Sequence, residues 1–337
     1  MNRTTRVFLC LTLGVLLIAG LVLAGCGPKD TGKVEEVDEQ GESGITPAPI
    51  KIGTLATQDS LALWVAEEKG HFAEVGLADV EIITFQSAQE IQSAFTAGAV
   101  NAVMTDVIVA ANLQASGTQV LIPTVMLGAD ISQGRFAVVG APGTSFGSMA
   151  DLKGIPVGSA SPTITEYVLD TLMDEAGVVA SDVKKEEIKK MPVRYQLLMS
   201  GQIKAASLPE PFVSLAEQDG AYVVPGGDDT RAKVNISQTI LAVNAEYAGS
   251  SGGGAAMAAV LKAMDHAVDD INADPNSFRG TLVEKAGLPA PLASTYQVPT
   301  YPKAAPPAPE DLQRVLDWMA AHGYLNAEVT PEELLGL

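Results

Sequence analysis

A nearly unbroken apolar run from Val7 to Val22 follows Arg3 and Arg6 and ends in Leu23-Ala24-Gly25-Cys26. A basic start, a short apolar stretch and small residues before a cut describe a secretory signal peptide (residues 1–25) rather than a bilayer-spanning anchor. Residues 26–49 reverse the pattern. They are rich in Gly, Pro and Thr and carry Glu35, Glu36, Asp38, Glu39 and Glu42. Without apolar periodicity they cannot bury enough surface to offset the entropy of ordering, so a flexible acidic tether is expected there.

From Ile50 onward, short apolar runs alternate with amphipathic stretches. Strands are predicted at Ile50–Ala56, Val80–Phe85, Val100–Thr105 and Val120–Met126, with helices at Ser60–Lys69, from Ser87 to about Ala97, and from Asp106 to about Ser116. Ser87 and Glu90 have capping-box spacing, and Asp106 can cap the helix that follows it. After Gly134 the pattern repeats, with strands at Arg135–Val139, Ile155–Ser159, Ile203–Leu208, Ala221–Val224 and Gln238–Val243 and a helical turn at Ser148–Leu152. Ser161 as N-cap and Pro162 as first helical residue predict a long helix to Ala176, with Thr163 and Glu166 as a second capping pair. Tyr195–Ser200 reads as a short helix. Beyond Gly254 the chain reads as helical over Ala255–Asp274, Ser277–Lys285, near Ala290 and Glu310–His322, with Gly252-Gly253-Gly254 as a flexible connection before them.

Strand–helix alternation predicts an α/β protein with mostly parallel sheets and helices on both faces. Two such units joined by extended crossings give a bilobed molecule with a cleft. In open α/β sheets, ligands sit beyond the carboxyl ends of strands, where helix N-termini point.

Charge narrows the function. The formal net charge is −19, from 21 basic and 40 acidic residues. Such a surface argues against nucleic acid as a partner, since phosphates need positive charge. Cleavage before Cys26 removes Arg3 and Arg6 and takes the charge to −21. The two cysteines are Cys10, inside the leader, and Cys26, so no disulfide, thiol nucleophile or thiolate metal site is expected in the mature body. Three histidines, His71, His266 and His322, show no HxxxH or HxH spacing, and no His–carboxylate cluster is expected from them. Neither a metal site nor a cofactor is expected.

Leu23-Ala24-Gly25-Cys26 resembles the bacterial lipobox, which implies that Cys26 becomes a lipidated first residue on the outer face of a cell membrane. Further along, Ile52-Gly53-Thr54, the stretch from Trp64-Val65-Ala66 through Lys69-Gly70-His71-Phe72 to Val75-Gly76-Leu77, Phe85-Gln86-Ser87, Asp151-Leu152-Lys153-Gly154, Gly201-Gln202-Ile203 and Pro209-Glu210-Pro211-Phe212 together resemble the SsuA/THI5-like (NMT1-like) substrate-binding proteins of ABC importers. The resemblance covers most of the chain from Ile50 to Leu325. His71 stands where the family usually has Tyr or Phe, and Lys204 where it often has Asp.

This resemblance implies the bilobed type II periplasmic-binding fold, two sheets joined by a two-strand hinge. Residues 50–133 plus 237–337 would form lobe 1 and residues 134–236 lobe 2. It implies a monomer that traps a small solute and hands it to an ABC permease with its ATPase. Relatives bind nitrate, sulfonates, taurine or pyrimidine precursors of thiamine, so membership does not name the solute.

Four segments are expected to reach the cleft. Thr54, Asp59 and Ser60 precede a helix, where free amides attract polar groups and where Asp59 or Ser60 can equally be a plain cap. Phe85, Gln86 and Ser87 sit at another strand-to-helix junction, Phe85 either stacking on a flat ligand or filling the core. Ser159, Ser161, Thr163 and Thr165 offer hydroxyls without charge. The resemblance places Glu210 at the cleft; a solvent-facing turn is the alternative. Asp106, Arg135 and Gln238 complete the candidates, and Arg135 is the one arginine near an expected crossing. Asp106 and Glu210 facing inward would oppose a simple anion. A pyrimidine-type solute able to donate hydrogen bonds to a carboxylate is therefore favoured over a sulfonate, taurine or nitrate. Two other functions stay open. One is a solute-sensing lipoprotein without a transport role. The other is a pyrimidine synthase on the same fold, whose resemblance implies a cysteine-rich iron site that the mature chain cannot supply.

Overall fold

The computed structural model describes residues 45–337. The apolar leader, Cys26 and most of the acidic tether lie outside the described residues. Ten strands were found: β1 (Ile50–Leu55), β2 (Val80–Phe85), β3 (Ala102–Asp106), β4 (Val120–Leu127), β5 (Phe136–Gly140), β6 (Pro156–Ser159), β7 (Lys184–Glu187), β8 (Ala205–Pro209), β9 (Tyr222–Asp228) and β10 (Thr239–Asn244). They form two five-stranded sheets, ordered β2-β1-β3-β10-β4 and β7-β6-β8-β5-β9.

Each sheet holds four strands pointing one way and one reversed. β1 runs parallel to β2 and β3, whereas β10 runs antiparallel to β3 and β4. In the second sheet β6 runs parallel to β7 and β8, whereas β5 runs antiparallel to β8 and β9. β3, β5 and β8 are buried at every position. Strands covered on both faces read as continuous apolar runs, which is why the sequence locates them well. β7, Lys-Lys-Glu-Glu, escapes sequence prediction because it is an exposed edge strand, where charged side chains are the usual occupants.

The longer helices are α1 (Leu61–Lys69), α2 (Ala88–Thr96), α3 (Val107–Ala115), α4 (Ile164–Glu175), α5 (Met191–Met199), α6 (Phe212–Gln218), α7 (Ser251–Ala273) and α8 (Pro309–Ala321). One face of the first sheet packs on α1 and α7 through Leu61, Trp64, Val65, Val260 and Met264. Its other face meets α2, α3 and α8 through Ile91, Phe95, Ile108, Leu312 and Leu316. The second sheet is covered by α4 on one side and by α5 and α6 on the other. Among the described residues no helix is long and apolar enough to cross a membrane.

Several caps fall where the sequence puts them. Ser87 Oγ accepts from the Glu90 amide at 3.2 Å, while the Glu90 carboxylate accepts from Gln86 at 3.0 Å, so the reciprocal bond reaches one residue further back than a standard capping box. The start of α4 differs from expectation. Thr163, with extended backbone, is the N-cap and accepts from Thr165, whereas Ser161 gives its amide to Glu187 at 2.9 Å. Gly252-Gly253-Gly254 is not a flexible connection but the first turn of α7, capped by Ser250. A Cβ on Gly253 would lie 1.8 Å from the Tyr247 carbonyl oxygen, so only glycine lets this helix start pack on the turn before it.

Two segments carry the chain between the sheets, residues 128–135 outward and 229–238 back, and they run side by side. Gly128 has φ +81°, and a Cβ there would lie 2.8 Å from the Ser237 carbonyl oxygen. Asn235 Nδ2 donates to the Gly128 carbonyl at 2.5 Å. Asp229 is fully buried on the return path, and burial pushes its carboxyl up from 3.8 to about 8, against the pull of Ser237 and of the Phe136 amide. A carboxyl whose folded pKa lies above its unfolded value holds an extra proton in the fold, so stability is full below about pH 4 and drains away up to about pH 8. At its steepest such a group costs about 1.4 kcal/mol per pH unit. Asp229→Asn is therefore expected to flatten the fall in stability between pH 5 and pH 8, as urea melts across that range will measure; an unchanged slope refutes the assignment.

Candidate functional site

The carboxyl ends of β1, β3 and β8 and the starting ends of the reversed strands β5 and β10 converge between the two sheets. The registers place Asp106 opposite Thr239 and Pro209 opposite Phe136. Because β5 and β10 run backwards, each begins where its neighbours finish, so the crossings enter the sheets beside the cavity. The inner cavity, about 40 Å³, is lined by Leu55, Met104, Phe136, Ile164, Met191 and Pro209 as apolar walls. Its polar lining is Thr57, Asp59, Thr105, Asp106, Thr163, Thr165, Lys189, Arg194 and Thr239. An outer pocket of about 150 Å³ shares Ala88, Ala160, Thr163 and Lys189 with it and adds Gln89, Gln92, Val109, Ser161 and Pro162.

Asp106 joins the two halves. One carboxylate oxygen accepts from Val109 in the first turn of α3 at 2.9 Å, and the other accepts from Ile164 at the start of α4 at 3.1 Å. The first bond is a helix cap within one half; the second spans the gap. Burial pushes the Asp106 carboxyl up to about 6, with these amides holding it back. Asp59, on the helical turn Gln58–Ser60 before α1, is likewise raised to about 6 by burial, against the hydroxyls of Thr57 and Thr239. The Thr105 hydroxyl, also in the lining, has no hydrogen-bond partner among the described residues. Further polar contacts span the gap: Gln58 donates its backbone amide to the Glu210 carbonyl at 3.3 Å, Lys190 pairs with Glu90 at 2.7 Å, Tyr324 donates to the Glu166 carboxylate at 2.8 Å, and His322 Nε2 lies 3.1 Å from Asp170.

Sequence reasoning passed over Thr57, Thr105, Lys189 and Thr239 in this lining, and above all Arg194. It lies 1% exposed on α5, with Nε and Nη2 donating to the Ile188 carbonyl at 3.0 and 2.7 Å and Nη1 to the Ser207 carbonyl at 2.9 Å. Burial lowers its pKa to about 10, and it remains a cation at neutral pH. No spacing rule marks it, because α5 starts four residues before the predicted Tyr195 and its buried face shows only in three dimensions.

Arg135, the cation expected near the cleft, is instead held in the second half by Glu210 at 3.2 Å, Glu217 at 3.0 Å and Asp228 at 3.6 Å. Glu210 is buried but does not line the cavity. Its carboxylate accepts from the Ser214 amide and hydroxyl at 3.0 and 2.9 Å, so it caps α6 and neutralises Arg135. Thr54 bonds Thr84 across the β1–β2 pair, Ser60 donates to the Leu55 carbonyl, and Ser87 caps α2. Phe85 packs against the core and Gln86 is exposed. Ser159 is fully buried in β6, and Gln238 lies beyond Asp106 in a separate small pocket with Ile108, Tyr167 and Asp311. Of the fourteen candidates, the structure brings Asp59, Asp106, Thr163 and Thr165 together around the inner cavity, with Ser161 at its mouth.

The profile of the NMT1-like family matches residues 43–276, well over half of the chain. This chain belongs to the NMT1-like family. The aliphatic sulphonate binding protein SsuA from Escherichia coli superposes on this family member with a TM-score of 0.70 at 18% identity, covering 86% of this chain and 92% of that one. SsuA from Xanthomonas axonopodis pv. citri, bound to MOPS, gives 0.70 at 17% identity over 84% and 96%. The nitrate-binding protein NrtA from Synechocystis gives 0.69 at 13% identity over 87% and 86%. The fold of this NMT1-like chain is thus the bilobed type II periplasmic-binding fold. In sequence, the curated nitrate/nitrite binding protein NrtA of Synechocystis is 33% identical over 93 residues, 24% of this chain. That match spans about a fifth of NrtA's length, 21%.

Proposed function

We propose that this NMT1-like protein is the extracytoplasmic solute-binding component of an ABC importer, monomeric, lipid-anchored at Cys26, and closing residues 134–236 against the rest of the folded body over a small solute without turnover. The observation that carries this reading is the Asp106 carboxylate, which caps α3 in one half and accepts from the start of α4 in the other. A single group bonded on both sides of a cavity is a latch for closure around an occupant. The sulfonate- and nitrate-binding proteins of the same fold support it, as do the threonine, aspartate and arginine side chains of the lining, a set suited to holding a polar molecule.

For the solute, the lining favours a compact nitrogenous molecule of the pyrimidine type. Asp59 and Asp106 offer two carboxyls against apolar walls, and the donors of Arg194 already bond two carbonyls. A bare oxyanion would meet both carboxylates at close range, with the Lys189 ammonium, 4.0 Å from Glu187, as the remaining lining cation. An amino-substituted ring gives N–H donors to a carboxyl and ring nitrogens to the threonine hydroxyls, while its faces lie between Leu55, Met104 and Met191; charge-assisted bonds of this kind contribute about 1.5–3 kcal/mol each.

Isothermal titration of the full chain with an aminopyrimidine, taurine, an alkanesulfonate and nitrate tests the solute. Heat from the aminopyrimidine alone is expected; heat only from the anions overturns the solute class while leaving the importer reading in place. Capture of a permease and its ATPase with the tagged lipoprotein tests the importer role, and their absence from membranes that hold the loaded protein overturns it.

A further inference from the structure

Away from the cavity, the fold gathers side chains that the sequence keeps far apart. The helical turn His71–Glu74 follows α1 directly and lies along α7. His71 is largely buried, with Nδ1 2.8 Å from Glu74 Oε2 and Nε2 2.9 Å from Asp270 Oδ2. His266, one turn before Asp270 on α7, places Nδ1 3.8 Å from the same Glu74 oxygen, and its ring stands edge-on to His71 at a centroid distance of 5.5 Å. One nitrogen of each imidazole and a Glu74 oxygen all lie within 4.8 Å of one another. The sequence shows no closely spaced histidines and predicts no His–carboxylate cluster; packing of α7 on the end of α1 corrects that reading.

We propose that His71, Glu74 and His266 form a binding site for a divalent ion of the zinc class, with Asp270 as the positioning residue behind His71 and water in the fourth place. Zinc takes nitrogen and carboxylate ligands at about 2.0–2.2 Å in a tetrahedron, which sets neighbouring ligand atoms roughly 3.2–3.6 Å apart. The present separations of 2.8 and 3.8 Å straddle that range, and the half-exposed Glu74 and His266 side chains are free to make the small adjustment. Asp270 supplies what a bare cluster lacks. Accepting the Nε2 proton fixes the His71 tautomer, leaves the Nδ1 lone pair facing Glu74 and His266, and makes that nitrogen a better donor. Two imidazoles with one carboxylate select zinc-like ions over magnesium, which prefers oxygen ligands and keeps its waters. None of these four residues lines the solute cavity, so an ion there would tie the His71–Glu74 turn to α7 without entering the cleft.

Titration of the chelator-treated full chain with zinc chloride, followed by calorimetry and by melting temperature, tests the site. One zinc per chain and a raised melting temperature are expected, with no response to magnesium chloride. His266→Ala removes an exposed ligand without touching the core and is expected to weaken zinc binding at least tenfold. Asp270→Asn keeps all three ligands yet is expected to weaken it about 10- to 100-fold through the lost orientation of His71. Absence of zinc binding, or zinc affinity unchanged in both variants, overturns the proposal.

Discussion

Asp106→Asn is expected to weaken solute capture by about ten- to a hundredfold while leaving the melting temperature close to that of the parent. The amide oxygen can still accept from Val109, so the cap on α3 survives. The amide nitrogen, however, is a donor, and in the closed arrangement it faces the donor N–H of Ile164. The bond across the gap is replaced by a repulsion, and the loss of a charge-assisted bond of about 1.5–3 kcal/mol falls on closure. Asp106→Ala differs, since it loses the cap as well and should lower the melting temperature. Calorimetric titration with the aminopyrimidine proposed above, paired with small-angle scattering of both forms, checks the expectation. An Asn variant that binds as tightly and is as compact as the parent would show that closure does not depend on this carboxylate.

The second large effect is on stability. Arg194→Met is expected to cost about 3–5 kcal/mol, because a well-buried group is removed together with its three hydrogen bonds to the Ile188 and Ser207 carbonyls. Those bonds tie the chain just before α5 to strand β8, two elements that wall the cavity. Arg194→Lys recovers only part of the loss, since an ammonium on a flexible stem cannot present the guanidinium fork to two carbonyls at once. Urea midpoints for the two variants decide the matter; a Met variant within about 1 kcal/mol of the parent would remove Arg194 from the scaffold.

Local chemistry was the legible part of this chain. Asp106 announces itself as a cap before an apolar helix, and it is a cap; that its second oxygen bonds Ile164 needs the other half of the molecule. Buried strands such as β5 and β8 stand out as unbroken apolar runs, whereas the charged edge strand β7 has no pattern to find. Arg135 and Arg194 show the limit most clearly. Nearness to a crossing in sequence favoured Arg135, but Glu210, Glu217 and Asp228 neutralise it, and the arginine that reaches the cavity sits on a helix whose buried side no periodicity disclosed. The glycine triplet failed for a related reason. Its composition says freedom, while the Tyr247 carbonyl pressed against Gly253 makes it a packing requirement.

The reversed strand β10 also bears on the order in which the molecule can be assembled. Strands β5 to β9 form one continuous stretch of chain, so the second sheet can complete its ladder as soon as residue 228 is made. The first sheet cannot, because β3 and β4 have no contact with each other until Thr239–Asn244 slides between them. On the ribosome, the half that begins first is the half that must wait, its two inner edges bare until a segment from far downstream arrives.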